Sequence, residues 1–311
     1  MSAPVQLRNL LFVLNPISGD IDKAQLEGTI RSYCQERGRN AAFFHTTGED
    51  DLARLQEHLQ QVAYDAVFAA GGDGTVSLVA ESLVNGSLPL GIIPLGSGNG
   101  LSKDLGIPQQ VEEALRLTWD FEVLTMDTIR VGGKFSAHLA DLGFNALVVE
   151  RFDQGDVRGP GAYIRIATQE YINYEPEQYH IKTDLEEWEG PAFMLTIANA
   201  NTFGSNVVIN PEGELDDGQF EICLINPFPN AAAPGILYNL YTSGFDSSEY
   251  TRRLCCSRAT ITVPGKNRVL AQVDGEPLYL PTPVEVEILP QSLHVLTPKK
   301  QSPDAAAPGE Q

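Results

Sequence analysis

Glycine, aspartate and small hydroxyl residues recur in this chain at spacings that suit phosphate chemistry. Gly71-Gly72-Asp73-Gly74-Thr75 follows a short apolar run, Ala66 to Ala70, and precedes a segment with helical potential, Val76 to Val84. A strand, a glycine turn and a helix bring backbone N–H groups and a helix N-terminus together on an anion. Glycine suits the turn because a side chain would hold the backbone away from a phosphate. Asp73 cannot bind phosphate itself, but a carboxylate among such amides can orient a magnesium shell or a water. Some twenty residues later comes Pro94-Leu95-Gly96-Ser97-Gly98-Asn99, a second loop of the same type. Near the C-terminus stands Asp274-Gly275-Glu276. Alone, it reads as a type I′ or II′ turn joining Leu270–Val273 to Leu278–Leu280, with both acids solvated. A positioned glutamate there can also accept a proton from a hydroxyl.

These residues need elements to hold them. Leu10 to Leu14, Asn40 to Phe44, Val67 to Ala70 and Leu90 to Ile93 read as strands, and Asp22 to Arg37 and Asp50 to Gln61 as helices between them. That alternation predicts a parallel sheet with helices on both faces. Loops leaving the carboxyl ends of its strands gather on one edge, where ligands bind. Asn15 to Gly19, Thr46 to Gly48, Gly71 to Thr75 and Pro94 to Asn99 are those loops, all rich in Gly, Ser, Thr or Asn. After a helix near Gln109 to Trp119, short alternating segments take over. They are Ile129–Val131, Phe135–Leu139, Tyr179–Thr183, Phe193–Ala198, Phe220–Leu224, Thr260–Val263 and Val284–Ile288. This pattern predicts an antiparallel sandwich or barrel, with the boundary near Met126 to Ile129. Ala162–Tyr171 and Pro234–Gly244 are expected to be helical. The second of these has Ile236, Leu237, Leu240 and Tyr241 for packing on the β-domain.

Composition narrows the partners. With 41 acidic against 21 basic residues, the formal charge is −20, and no basic stripe offers to neutralise nucleic-acid phosphates. Cys34, Cys223, Cys255 and Cys256 have no metal spacing and suit free thiols in a reducing compartment. No apolar run approaches a membrane span and no signal peptide is evident, so the expectation is a cytoplasmic protein. The end of the chain, Ser302 to Gln311, is expected to be disordered.

Together, Gly71-Gly72-Asp73-Gly74-Thr75 and Gly96-Ser97-Gly98-Asn99 resemble the catalytic domain of diacylglycerol kinases, their bacterial relatives, and sphingosine and ceramide kinases. Gly143-Phe144-Asn145-Ala146, Asn199 to Phe203, Leu215-Asp216-Asp217-Gly218 and Asp274-Gly275-Glu276 extend the likeness over about residues 8 to 297. The resemblance implies a phosphofructokinase-like α/β nucleotide-binding domain (8–127) followed by an antiparallel β-sandwich domain (128–297). The resemblance leaves open a return of the last strand to the first domain, and implies a disordered tail (298–311). It implies that ATP meets Asn15, Pro16, Ser18, Gly19, Thr46, Gly71, Gly72, Asp73, Gly74, Thr75, Ser77, Gly96, Ser97 and Asn99. Asp73 and Asp127 would belong to a magnesium network, with Glu276 the general base. A second, structural magnesium would sit at Glu214, Asp217 and Gln219. The implied activity is transfer of the ATP γ-phosphate to a lipid hydroxyl of diacylglycerol, a sphingoid base or a related lipid, in peripheral contact with a membrane. Two departures stand out: Ser77-Leu78 where relatives carry Asn-Glu, and Gly100 where many carry an aspartate of the magnesium network. Two other readings therefore stay open, a catalytically weakened nucleotide- or lipid-binding protein of this fold and an NAD kinase-like enzyme with a soluble substrate.

Overall fold

The computed structural model describes residues 6–16, 23–155, 159–203, 207–242 and 244–299. Its N-terminal part alternates as expected: β1 (Asn9–Leu14), α1 (Lys23–Glu36), β2 (Asn40–His45), α2 (Asp51–Gln61), β3 (Ala66–Gly71), α3 (Asp73–Leu83) and β4 (Leu90–Pro94). These strands pair in parallel in the order β2-β1-β3-β4. All of β3 and β4 is buried, as is β1 beyond Asn9. Strands covered on both faces need apolar residues at every position, which is why they read as unbroken runs rather than alternations. Phe12 and Phe68 stack at 4.9 Å between neighbouring strands of this core.

The helix expected over Gln109–Trp119 is shorter. Two small helices, α4 (Gly100–Asp104) and α5 (Val111–Ala114), follow β4, and α5 runs into a 3₁₀ turn at Leu115–Thr118. The remaining elements are β5 (Glu122–Val131), β6 (Lys134–Ser136), β7 (Leu139–Gly143), α6 (Phe144–Asp153), α7 (Pro160–Tyr171), β8 (Glu177–Thr183), β9 (Glu187–Ala192), β10 (Met194–Ala198), β11 (Phe220–Ile225), α8 (Ala233–Tyr241), β12 (Thr251–Cys256), β13 (Arg258–Thr262), β14 (Arg268–Val273), β15 (Glu276–Pro281) and β16 (Val284–Thr297). A six-stranded antiparallel sheet, β12-β11-β10-β7-β14-β15, faces strands β16, β13, β8 and β9. Their inward residues, among them Leu142, Ile181, Leu195, Ile222, Ile261 and Val286, form the second core. On α8, Ile236 and Leu240 are buried in a third cluster with Met194 and Phe245, while Leu237, Tyr238 and Tyr241 stay exposed.

The two parts share one ten-stranded sheet. β16 pairs antiparallel with β13 near its start and meets β4 at Val295↔Leu90 near its end, so the last strand does return to the first sheet. β5 accompanies β16 over both lengths and runs unbroken through residues 126–129. Between Leu289 and Leu293 their register shifts, with Gln291 at φ 48°. Such a bulge bends a strand.

Candidate active site

Asp73 opens α3, directly after the extended Gly72. The first helical hydrogen bonds are donated by Thr75 and Val76 to the Gly72 carbonyl, which leaves the Asp73 and Gly74 amides at the helix start where an anion would meet them. The Asp73 carboxylate turns sideways. Oδ2 accepts the Asn99 N–H and Oδ1 the Gly100 N–H, both at 2.9 Å. One acidic side chain thereby joins the two glycine loops. Their backbones touch: a Cβ on Gly96 would lie 2.7 Å from Gly72 Cα, and one on Gly98 would lie 2.6 Å from Asp73 Oδ2. Asn99, in the left-handed region at φ 53°, closes its loop on itself through the Gly96 N–H and carbonyl.

Beside this junction lies a cleft of about 420 Å³. Asn15, Pro16, Thr46, Gly72, Gly74 and Thr75 line it from the first sheet and its loops. Glu276, at the head of β15, closes it from the β-domain. Its Oε1 is 3.6 Å from where a Gly74 Cβ would be. Solvent reaches Glu276, yet the cleft walls remove part of its hydration, and Asp274, Glu81 and Asp153 add negative charge nearby. Desolvation first and those charges second push its carboxyl above the ordinary value, with Lys134 opposing them.

Four lining residues lie beyond the expected set: Thr47, Gly48, Asp51 and Leu78. Asp51 accepts the Thr47 and Gly48 N–H groups at 2.8 and 2.7 Å, and Arg54 donates to it at 2.8 Å. Burial pushes its carboxyl up, but these bonds and the Arg54 charge outweigh burial and hold it low. The polar Thr46–Gly48 loop on the strand edge was the signal for Thr47 and Gly48. An aspartate inside the next helix carries no comparable mark.

Other expected residues are placed differently. Ser77 is not among the residues lining the cleft, and its hydroxyl donates to Asp274 at 2.9 Å. Ser97 is exposed on its loop, and Gly71, Gly96 and Asn99 shape the backbone rather than line the cleft. Ser18 and Gly19 lie outside the described residues, as does the tail from 300 onward. Asp127 is not a cleft residue. It is fully buried, and its two oxygens accept the N–H groups of Gly218 and Gln291, each at 2.6 Å. It clamps the β16 bulge and the Leu215–Gly218 loop, whose Leu215 carbonyl accepts the Asp127 N–H. In the loop expected to hold a structural magnesium, Glu214 and Asp217 are exposed, and Asp217 accepts the Gln219 N–H at 2.9 Å. Among the described residues no three His, Cys, Asp or Glu side chains converge as a metal site. Asp274, read as solvated, is buried and accepts five donors: the hydroxyls of Ser77 and Ser136 and the N–H groups of Ala137, His138 and Leu139. With Asp274 at φ 48° and Gly275 at φ 90°, the β14–β15 connection has the backbone of a type I′ turn.

Residues 9–131 match the diacylglycerol kinase catalytic domain, and residues 139–297 the YegS C-terminal NAD kinase beta sandwich-like domain. An uncharacterized protein of Synechocystis is 33% identical over 309 residues, which is 93% of this chain and 70% of that one. A probable lipid kinase YegS-like protein of Chromohalobacter salexigens is 27% identical over 251 residues, 79% of this chain and 80% of its own. The chain belongs to this lipid kinase family. It is a phosphotransferase, and its glycine junction and Glu276 fall in the two family domains, one on each side of the cleft. A crystal structure of a diacylglycerol kinase from Bacillus anthracis superposes with a TM-score of 0.74 at 20% identity, over 94% of the kinase and 98% of that chain. That likeness establishes the shared fold. No helix among the described residues of the kinase is long and apolar enough to cross a membrane.

Proposed function

We propose that the kinase transfers the γ-phosphoryl group of ATP to a hydroxyl of a lipid presented at a membrane surface, with Glu276 as general base. The observation that carries this reading is the placement of Glu276 against Gly74, at the amino end of α3. The helix N-terminus and the Thr46 and Thr75 hydroxyls suit phosphate oxygens, and no lysine of a P-loop is needed. The Glu276 carboxylate accepts the proton of the lipid hydroxyl as its oxygen bonds to phosphorus and the bond to ADP breaks. A raised pKa makes Glu276 a stronger base than an ordinary carboxylate.

Magnesium suits the donors present. Each Asp73 oxygen accepts one N–H and keeps lone-pair capacity for a water of a hydrated ion. When bound, the ion would neutralise charge on the transferring group. No step is assigned to Asp127 or to the Glu214–Gln219 loop. Diacylglycerol, a sphingoid base or a related lipid alcohol is the acceptor class, and peripheral contact from the cytoplasm is the corresponding location. In Glu276→Gln, kcat is expected to fall by about 10²- to 10⁴-fold, with ATP affinity by calorimetry held within about twofold because the contact acts on the proton rather than the nucleotide. Wild-type turnover in that variant would overturn the assignment.

A further inference from the structure

On the face of the six-stranded sheet that turns away from its core, three adjacent strands carry one polar residue each. Asp141 on β7 is directly opposite Thr196 on β10 and Gln272 on β14. All three are essentially buried. Asp141 is the acceptor at the centre. The Thr196 hydroxyl donates to its Oδ1, while the Gln272 and Asn145 amides both donate to its Oδ2 at 2.5 Å. Asn145, in the first turn of α6, takes the Tyr163 hydroxyl of α7 on its own carbonyl oxygen. At the other end, Gln272 Oε1 accepts the Gly275 N–H at 2.7 Å. Gly275 is the second residue of the turn that delivers Glu276.

We propose that Asp141 and Gln272 are positioning residues for the general base: a buried chain of hydrogen bonds from Tyr163 through Asn145, Asp141 and Gln272 fixes the Asp274–Gly275 turn and thereby the aim of Glu276. This rests on the reading of Glu276 as base. The physical reason lies in the geometry of an amide. Gln272 can present its oxygen to Gly275 only while its NH₂ points the other way, at an acceptor. Asp141 is that acceptor, and Asn145 and Thr196 hold the carboxylate in place. The turn needs such a brace because its exposed Gly275 is the most permissive residue in the hairpin. An interior carboxylate is costly and is expected to be fully hydrogen-bonded. Burial pushes the Asp141 carboxyl up to about 6, against the pull of Thr196, Asn145 and Gln272 and of the His138 charge. A packing role alone would be served better by an apolar residue at this point.

The test uses the full chain with selective ¹⁵N-glycine labelling, and reads Gly275 amide exchange together with phosphoryl transfer from ATP to micellar diacylglycerol, phosphatidylglycerol or sphingosine. In Gln272→Met and Asp141→Leu, Gly275 exchange is expected to quicken by about tenfold or more as the turn opens locally. In both variants kcat should fall by about 10- to 100-fold, the usual loss when a partner behind a functional group is removed, with KM for ATP held within about twofold. Asp141→Asn keeps the oxygen that Gln272 and Asn145 use, and should recover most of the rate. Glu221→Gln, at another buried carboxylate bonded by Asn210, is the control expected to lower the melting temperature without touching kcat. If Asp141→Leu fails to fold, Gln272→Met gives the same readings. The proposal is overturned if both variants merely melt lower, as the control does, with Gly275 exchange and kcat unchanged. A wild-type chain that phosphorylates none of the three lipids contradicts the lipid reading instead. Gly275 exchange then decides the relay by itself, with acceleration supporting it and wild-type exchange sinking it.

Discussion

Glu276 is crowded by acidic neighbours and by the cleft walls, and both effects make its carboxyl bind a proton more readily. A base works only when ionised, so a raised pKa means that activity is lost at a higher pH on acidification. The acid limb of kcat/KM is expected above 4.5, the ordinary value of such a group, and Lys134→Met should move it higher still by removing a cation that opposes the shift. A limb at or below 4.5 would contradict the environment described. Gly100, the conspicuous departure from the family pattern, also has a physical account. A Cβ there would stand 2.4 Å from Cε1 of His138, whose Nε2 is bonded to Asp104 at 3.1 Å. Burial disfavours the charged imidazole, but Asp104, Asp274 and Asp73 outweigh it and raise the His138 pKa. Gly100→Asp is therefore expected to destabilise the kinase by about 1–3 kcal/mol through overpacking without raising activity. Chemical denaturation measures this, and a variant as stable as wild type would refute the steric account. At this scale residue type was legible in the sequence and side-chain direction was not. Glu276 stands at the cleft, whereas Asp73 turns its carboxylate to Asn99 and Gly100, and Asp127 and Ser77 turn toward Gln291 and Asp274, and nothing in the local sequence marks that choice.

Among the elements, the turn at Asp274–Gly275 does more than reverse the chain. Asp274 ties α3, through Ser77, to Ser136 at the end of β6 and to the Ala137 N–H that follows it, so the two regions meet on one buried carboxylate. Asp274→Ala strands several buried donors at once and is expected to cost about 3 kcal/mol or more, read as a lower denaturation midpoint with unchanged slope. A loss under about 1 kcal/mol would mean that those donors find other partners. The parallel strands were legible because full burial leaves an unbroken apolar run. Helix α6 was not: Phe144-Asn145-Ala146-Leu147-Val148-Val149 contains residues common in strands, and it follows a glycine at φ 86°. Tertiary packing against β14, β15 and α7 settles its form. Strands β9 and β12 were missed because Glu187, Glu189, Arg252 and Arg253 make them look solvated. Arg252–Glu186 and Arg253–Glu212 ion pairs show where those charges go.

For the molecule as a whole, β5 and β16 make one sheet of what the sequence divides into two regions. The proposed catalytic arrangement depends on this joining, since the glycine junction belongs to the first region and Glu276 to the second. The segment pattern foretold the alternating and antiparallel textures, while the return of the last strand was raised by the family resemblance alone, because a pairing such as Val295 with Leu90 spans most of the chain and leaves no local trace. The net charge of −20 supplies no net electrostatic attraction to an anionic membrane. The central claim is transfer from ATP to a lipid hydroxyl under the control of Glu276. Its most direct test is the initial rate of label transfer from γ-labelled ATP, with magnesium, to micellar diacylglycerol, monoacylglycerol, phosphatidylglycerol, sphingosine and ceramide, with NAD as the soluble comparison. Labelling of at least one lipid, lost in Glu276→Gln and absent from NAD, is the result expected. Labelling of NAD with none of the lipids would contradict the account.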